Sequence, residues 1–138
     1  MVITTKGKNA LKFMIDLSLY QGPAFVRLKE VAEREGISEK YLENIVSHLQ
    51  KSKKVKSARG AKGGYRLVKT ADMYTVGEII KCLDGDLYPT DCAHGDEVCE
   101  RRDICFCYPL WRKLNQAMDD VLENTTLQDL IDWKKDGN

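Results

Sequence analysis

No stretch of this 138-residue chain approaches the roughly 20 consecutive apolar residues that span a bilayer. A secretory signal is missing too, because Lys6, Lys8, Lys12 and Asp16 interrupt every apolar run near the start. A soluble, cytoplasmic protein with no membrane contact is therefore expected. The chain also lacks a C-x-x-C pair, and neither His48 nor His94 has a recognisable nucleophile partner, which argues against an enzyme of thiol redox type. Net charge is nearly absent, at +1, but only by cancellation. Residues 1–70 hold 15 Lys and Arg against 6 Asp and Glu, and residues 71–138 hold 7 against 15, so the halves carry +9 and −8. A basic front half suits a polyanion, and an acidic back half does not.

The cations concentrate on one unit, Ser38 to Val68. Its first half opens with Ser38, a side chain able to cap an unpaired helix amide, and Leu42, Ile45, Val46 and Leu49 then recur at steps of three and four. The opposite face carries Glu39, Lys40, Glu43, Asn44, Ser47 and Lys51, with Tyr41 near the start, all able to bond base edges or phosphate oxygens. In front lies a shorter amphipathic segment, Leu28 to Glu35, with Leu28, Val31 and Ala32 inward and Gly36 supplying the left-handed residue that ends a helix. Helix, glycine turn and helix make a helix-turn-helix. The second half sets Arg59, Gly60, Lys62, Gly63, Gly64 and Arg66 between two short alternating arms around Val55 and Tyr65. This predicts a hairpin with cations at its tip, a wing suited to a narrow minor groove.

The rest of the chain is expected to support or switch that unit. Val2 to Tyr20 reads as a helix with Thr4 or Thr5 near its start and Leu11, Met14, Ile15 and Leu19 inward, where Lys6 and Lys8 either touch phosphate or keep the surface soluble. Phe25-Val26 is expected as a short strand that the wing joins. Thr75-Val76-Gly77-Glu78 matches a capping box opening a helix with Val76, Ile79, Ile80 and Leu83 inward and Gly85 at its end. Periodicity then disappears from Asp86 to Cys107. A long helix follows, with Trp111, Leu114, Met118, Val121 and Leu122 along one seam, and Thr126-Leu127-Gln128-Asp129 opens a short last helix with Leu127, Leu130, Ile131 and Trp133 apolar. The long seam is expected to pair with its copy in a homodimer, since helix-turn-helix readers bind two half-sites. The predicted fold is mainly α with a small β wing, a winged helix-turn-helix domain plus a long C-terminal dimerisation helix. Three regions are expected: 1–70 for DNA, 71–107 for a connecting helix and cysteine-rich sensor loop, and 108–138 for the dimerisation helix and terminal helix.

Four of the five cysteines, Cys92, Cys99, Cys105 and Cys107, fall in the aperiodic loop with spacing C-x6-C-x5-C-x-C. Structural disulfides do not suit a chain without a secretion signal, and buried apolar cysteine does not suit a loop rich in Asp, Gly and His. Cys82, within a helical pattern, does fit that apolar role. Zinc sites usually show tighter pairs, and soft thiolates also suit iron-sulfur clusters, so the spacing leaves both metals open.

Together, Thr4-Thr5-Lys6-Gly7-Lys8, Ile37 to Glu43, the wing Val55 to Tyr65, Thr75 to Glu78, the cysteine loop ahead of Trp111 and Thr126 to Leu130 resemble the Rrf2 family of winged-helix transcription regulators, and within it the iron-sulfur cluster regulators. The resemblance covers nearly the whole chain. It implies a homodimeric regulator, a repressor in the simplest case, acting on a double-stranded DNA operator. Tyr41 and Glu43 fall where the family contacts bases and Arg59 where it enters the minor groove, and with Ser38, Lys40, Lys62 and Gly63 they make the expected DNA-binding set. Cys92, Cys99 and Cys105 match three iron-binding thiolates. Two departures stand out: the first cysteine gap is one residue longer than in the best-known pattern, and Tyr108 occupies the histidine ligand position. Cys107 is the expected fourth ligand, with His94 as the alternative, holding a 2Fe-2S cluster or, as the alternative, 4Fe-4S. Lys8 replaces the carboxylate that some nitric-oxide-sensing relatives use. A cluster-donating or cysteine-metabolism protein is the further partner expected. The competing readings are a cluster-free regulator of the same family that senses cysteine or sulfur metabolism, more remotely a thiol redox enzyme, and a protein-interaction adaptor, which would leave the cationic wing unexplained.

Overall fold

In a computed structural model, the described residues are 3–93 and 99–137, and they form six helices and one two-stranded antiparallel sheet. The order is α1 (Thr5–Tyr20), α2 (Leu28–Glu35), α3 (Glu39–Lys51), β1 (Val55–Ala58), β2 (Gly64–Leu67), α4 (Val76–Asp84), α5 (Tyr108–Asn124) and α6 (Leu127–Lys135). This is the winged helix-turn-helix expected from the sequence, followed by the long helix α5.

Each boundary has a local cause. Thr4 caps α1 by accepting from the Gly7 amide, and Ser38 caps α3 by accepting from the Tyr41 amide. Gly36 ends α2 in the left-handed region, at φ 66° and ψ 35°. Thr75 with Glu78 and Thr126 with Asp129 form complete capping boxes at the starts of α4 and α6. The Asp84 carboxylate accepts from both the amide and the hydroxyl of Thr4. The C-terminal end of α4 is thereby joined to the start of α1.

One core runs beneath the reading head. It gathers Ala10, Phe13, Met14 and Leu17 of α1, Leu28 and Val31 of α2, Leu42, Ile45, Val46 and Leu49 of α3, Val55 and Leu67 of the wing, and Leu127 and Ile131 of α6. The inward stripe of α1 differs from the expected one. Met14 is buried, Leu11 and Ile15 are only partly so, and Leu19 stands 53% exposed because Phe13 and Leu17 take the inward positions. Of the apolar residues of α6, Leu127 and Ile131 are buried in the core shared with residues of the first seventy, while Trp133 is 47% exposed. A second, smaller core of Val76, Ile80, Leu87 and Leu122 joins α4 to α5.

α1 and α2 are also held by an ion pair between a buried aspartate and a partly exposed arginine. Asp16, 1% exposed, accepts from Arg34 Nε at 3.0 Å and from Nη2 at 2.7 Å, and the guanidinium lies 4.0 Å from the Tyr20 ring centroid. Hydrogen bonding to Asp16 raises the Arg34 pKa further above its ordinary value. Beside the pair, burial and then the Asp16 charge push the Glu35 carboxyl up. Removing Arg34 strands a carboxylate with almost no solvent contact. Arg34→Ala is therefore expected to cost about 3 kcal/mol. Urea denaturation would check this, and a loss below about 1 kcal/mol, the range of surface pairs, would show the pair to be unimportant.

Candidate nucleic-acid interface and cysteine loop

The unit that the sequence marked for DNA presents two surfaces, the exposed face of α3 and the wing. α3 directs Leu42, Ile45, Val46 and Leu49 into the core, and this leaves Glu39, Lys40, Glu43, Asn44 and Lys51 exposed. Tyr41 is half-buried and packs against the core edge, and Ser38 is committed to its cap at 3.1 Å from the Tyr41 amide. Of the expected DNA set, Ser38, Lys40, Tyr41 and Glu43 therefore cluster within the first two turns of one helix. Arg59 and Lys62 are exposed at the wing tip, and Gly63 is buried inside it.

In the wing, Val55 pairs with Leu67 and Ala58 with Gly64 in antiparallel register. Its tip closes through the Gly63 amide donating to Gly60 O at 3.0 Å, with Gly60 at φ 99°. Val26 and Tyr65 exchange backbone hydrogen bonds of 2.8 and 2.7 Å, so the expected short strand at Phe25-Val26 exists as a single bridge at the edge of the sheet.

Several side chains then fix the wing to the head. Gln50 of α3 donates to Ser57 Oγ at 2.8 Å, Gln21 Oε1 accepts from the Leu67 amide at 2.8 Å, and Arg66 donates to Pro23 O at 3.0 Å. Arg27, ahead of α2, donates to Ala61 O near the tip. Tyr74, fully buried, bonds the main chain at the base of the hairpin. Of these, the sequence reading named Ser57 and Arg66 within the wing and missed Gln21, Arg27, Gln50 and Tyr74. Gln50 and Gln21 carry no periodic signal, whereas Tyr74 left one: an aromatic set just before a capping box.

The cysteine loop is organised differently. Cys92 sits in a one-turn 3-10 segment, Asp91–Ala93, that packs against α5, while Cys105 and Cys107 lie at the start of α5 with Cys107 as its N-cap. Cys92, Cys99, Cys105 and Cys107 are all exposed and free. Among the described residues no group of three or more Cys, His, Asp or Glu side chains is gathered as a metal site. His94 lies outside the described residues. Cys82 is half-buried with Sγ 3.5 Å from His48 O and 3.2 Å from Ser52 Oγ, where it links α4 to the C-terminal end of α3. No helix among the described residues is long and apolar enough to cross a membrane.

Comparison with known proteins places these features. Residues 3–133 match the Rrf2 family, described as an iron-dependent transcriptional regulator. Over 131 residues the chain is 40% identical to the HTH-type transcriptional regulator IscR of Sodalis glossinidius, a match covering 95% of this chain and 79% of that protein. Over 133 residues it is 38% identical to the HTH-type transcriptional regulator CymR of Bacillus subtilis, covering 96% and 91%. Among solved structures, CymR, the global cysteine regulator of B. subtilis, has a TM-score of 0.79 at 38% identity, covering 96% of this chain and 98% of that one. The structure of T. potens IscR has a TM-score of 0.76 at 33% identity, covering 100% and 89%.

The wing tip itself offers a direct check of this geometry. A Cβ on Gly63 would stand 2.3 Å from Ala58 O and 2.9 Å from Ala58 C and Arg59 C. These are main-chain atoms, so relief requires opening the hairpin. Gly63→Ala is expected to cost roughly 1 to 3 kcal/mol and to speed amide exchange through the wing. An unchanged melting temperature with unchanged exchange would show that the tip is looser than described.

Proposed function

Because this chain belongs to the Rrf2 family of transcriptional regulators, we propose that its DNA binding is governed by an iron-sulfur cluster held by Cys92, Cys99, Cys105 and Cys107. DNA-binding transcription regulation, and not catalysis, is the activity its named relatives share. The observation that carries the cluster reading is the set of four exposed, free thiols confined to 92–107. These donors fit the group in kind, since iron-sulfur clusters are held by cysteine thiolates. When bound, such a cluster supplies metal-thiolate bonds whose presence depends on iron and redox state.

The protein's own residues account for the rest of the reading. Ser38, Lys40, Tyr41 and Glu43 present the start of α3 to the major groove, Arg59 enters the minor groove, and Lys62 meets phosphate at a tip that Gly63 keeps tight. Two such heads are set apart by a homodimer built on α5. Leu110, Leu114 and Val121 are 51%, 41% and 63% exposed there. Leu114 and Val121 line an apolar groove of about 360 Å³ together with Met118 and Leu122. Burial of that surface by the α5 of a second copy would remove it from water.

Signal transfer follows the packing of the arm. α5 is held to α4 by Lys81 with Glu123 at 2.8 Å and Asp119 at 4.0 Å, and hydrogen bonding to Glu123 raises the Lys81 pKa. α4 in turn is held to the head by Lys54 with Glu78 at 3.2 Å. A change in how Cys105 and Cys107 are held at the start of α5 therefore biases the dimer geometry, and half-sites about 34 Å apart tolerate little error. The effect is a population shift, set by the difference in ligation between two geometries.

A cluster-free regulator tuned to cysteine metabolism is the second reading. It is favoured by the ungathered thiols among the described residues and by the likeness to CymR. Iron and sulfide analysis of anaerobically purified protein separates the two. On the cluster reading, Cys105→Ala abolishes the visible cluster absorbance, and unchanged iron and sulfide content in that variant would remove Cys105 from the ligand set. For the wing, Arg59→Ala is expected to weaken specific DNA binding by about 1 to 3 kcal/mol in a gel-shift titration. Equal affinity would overturn the minor-groove assignment.

A further inference from the structure

We infer that Tyr74 is a positioning residue for DNA recognition, whose hydroxyl sets the angle at which the wing carries Arg59. The inference rests on the wing reading proposed above. Tyr74 is 0% exposed and its ring lies in the main core, where phenylalanine would pack equally well. The hydroxyl therefore needs its own explanation. It donates to Lys54 O at 2.6 Å and accepts from the Val68 and Lys69 amides at 3.0 Å each. A phenol has one proton and two lone pairs, and all three are engaged here.

Their placement gives the bonds a purpose. Lys54 immediately precedes β1, Val68 and Lys69 immediately follow β2, and Val55 with Leu67 is the last strand pair. The hydroxyl thus substitutes for the next rung where the two strands diverge. On its main-chain side Tyr74 is tied elsewhere, since its carbonyl accepts from the Leu127 amide at 3.1 Å at the start of α6. Wing base and arm corner share this one residue.

Leverage makes the base angle matter. Strands of four residues reach roughly 13 Å at ~3.3 Å per residue, so a tilt of about 5° at the base moves the tip by about 1 Å. Hydrogen bonds weaken steeply over that displacement. Without the hydroxyl, two amides and one carbonyl at the hinge lose their partners and the wing samples a wider arc.

The test is a double-mutant cycle on the full-length chain, using a duplex selected by the wild-type protein from a randomised library and fluorescence anisotropy at fixed salt. Tyr74→Phe is expected to lower affinity about three- to tenfold, the effect of one net hydrogen bond, yet less than about twofold in an Arg59→Ala background. A merely structural role would give the same loss in both backgrounds, and that result, or no loss in either, overturns the inference. If Arg59→Ala alone has no effect, the wing reading fails and takes this inference with it. If Arg59→Ala weakens binding while Tyr74→Phe does not, only the inference falls. Should the phenylalanine variant not fold, Lys69→Pro keeps the ring and removes one of the two amides that donate to the hydroxyl. It should lower affinity about two- to fivefold in the wild-type background and less than about twofold with Arg59→Ala. An equal loss in both backgrounds, or none in either, overturns the proposal.

Discussion

Thr75 and Thr126 meet backbone to backbone, and the rest of the structure depends on that meeting. The Val76 amide donates to Thr125 O at 2.7 Å and the Leu127 amide donates to Tyr74 O at 3.1 Å, while each threonine also opens a helix through its own capping box. The chain between them, comprising α4, the cysteine loop and α5, therefore leaves the reading head and returns to it at one place. α6 can then insert Leu127 and Ile131 under α1 and complete the core that supports α3. An arm closed in this way transmits a change in its packing to a rigid corner, where an open tail would dissipate it.

Much of this was legible in the chain because the signals were local. The caps at Ser38, Thr75 and Thr126, the left-handed Gly36 and the stripe on α3 each depend on neighbours within four residues, and the structure has them as read. The stripe of α1 was misplaced because that helix is buried on a broad face, with Ala10, Phe13 and Leu17 as deep as Met14, so a single periodic line picked Leu19 wrongly. The position of α6 could not be read from its amphipathicity, which is equally satisfied by a second chain or by its own head. The Asp16–Arg34 pair lay beyond reach for a related reason: its partners are set by packing across 18 residues, which periodicity does not encode.

The candidate site divides along the same line. Residues of the reading unit are neighbours in sequence and also in space, so α3 and the wing emerge together. Among the described residues the thiols are not gathered in a group of three or more: Cys92 is carried on a short turn against α5, and Cys105 and Cys107 lie just ahead of α5. Spacing in a loop states which donors are available and leaves their convergence to ligation.

On the reading proposed above, the charge partition assigns the switch to geometry and not to electrostatics. A front half at +9 binds any duplex by releasing counterions, with an affinity that falls with salt at about 0.9 of a logarithmic unit per phosphate contact. Ligation of thiolates leaves those cations where they are. On that reading, the part of binding that can respond is the part that needs two heads and two wings in fixed register. A regulator built in this way would keep its non-specific affinity in both states and lose only discrimination, so its switching should be most visible at salt concentrations where the general attraction has been screened away.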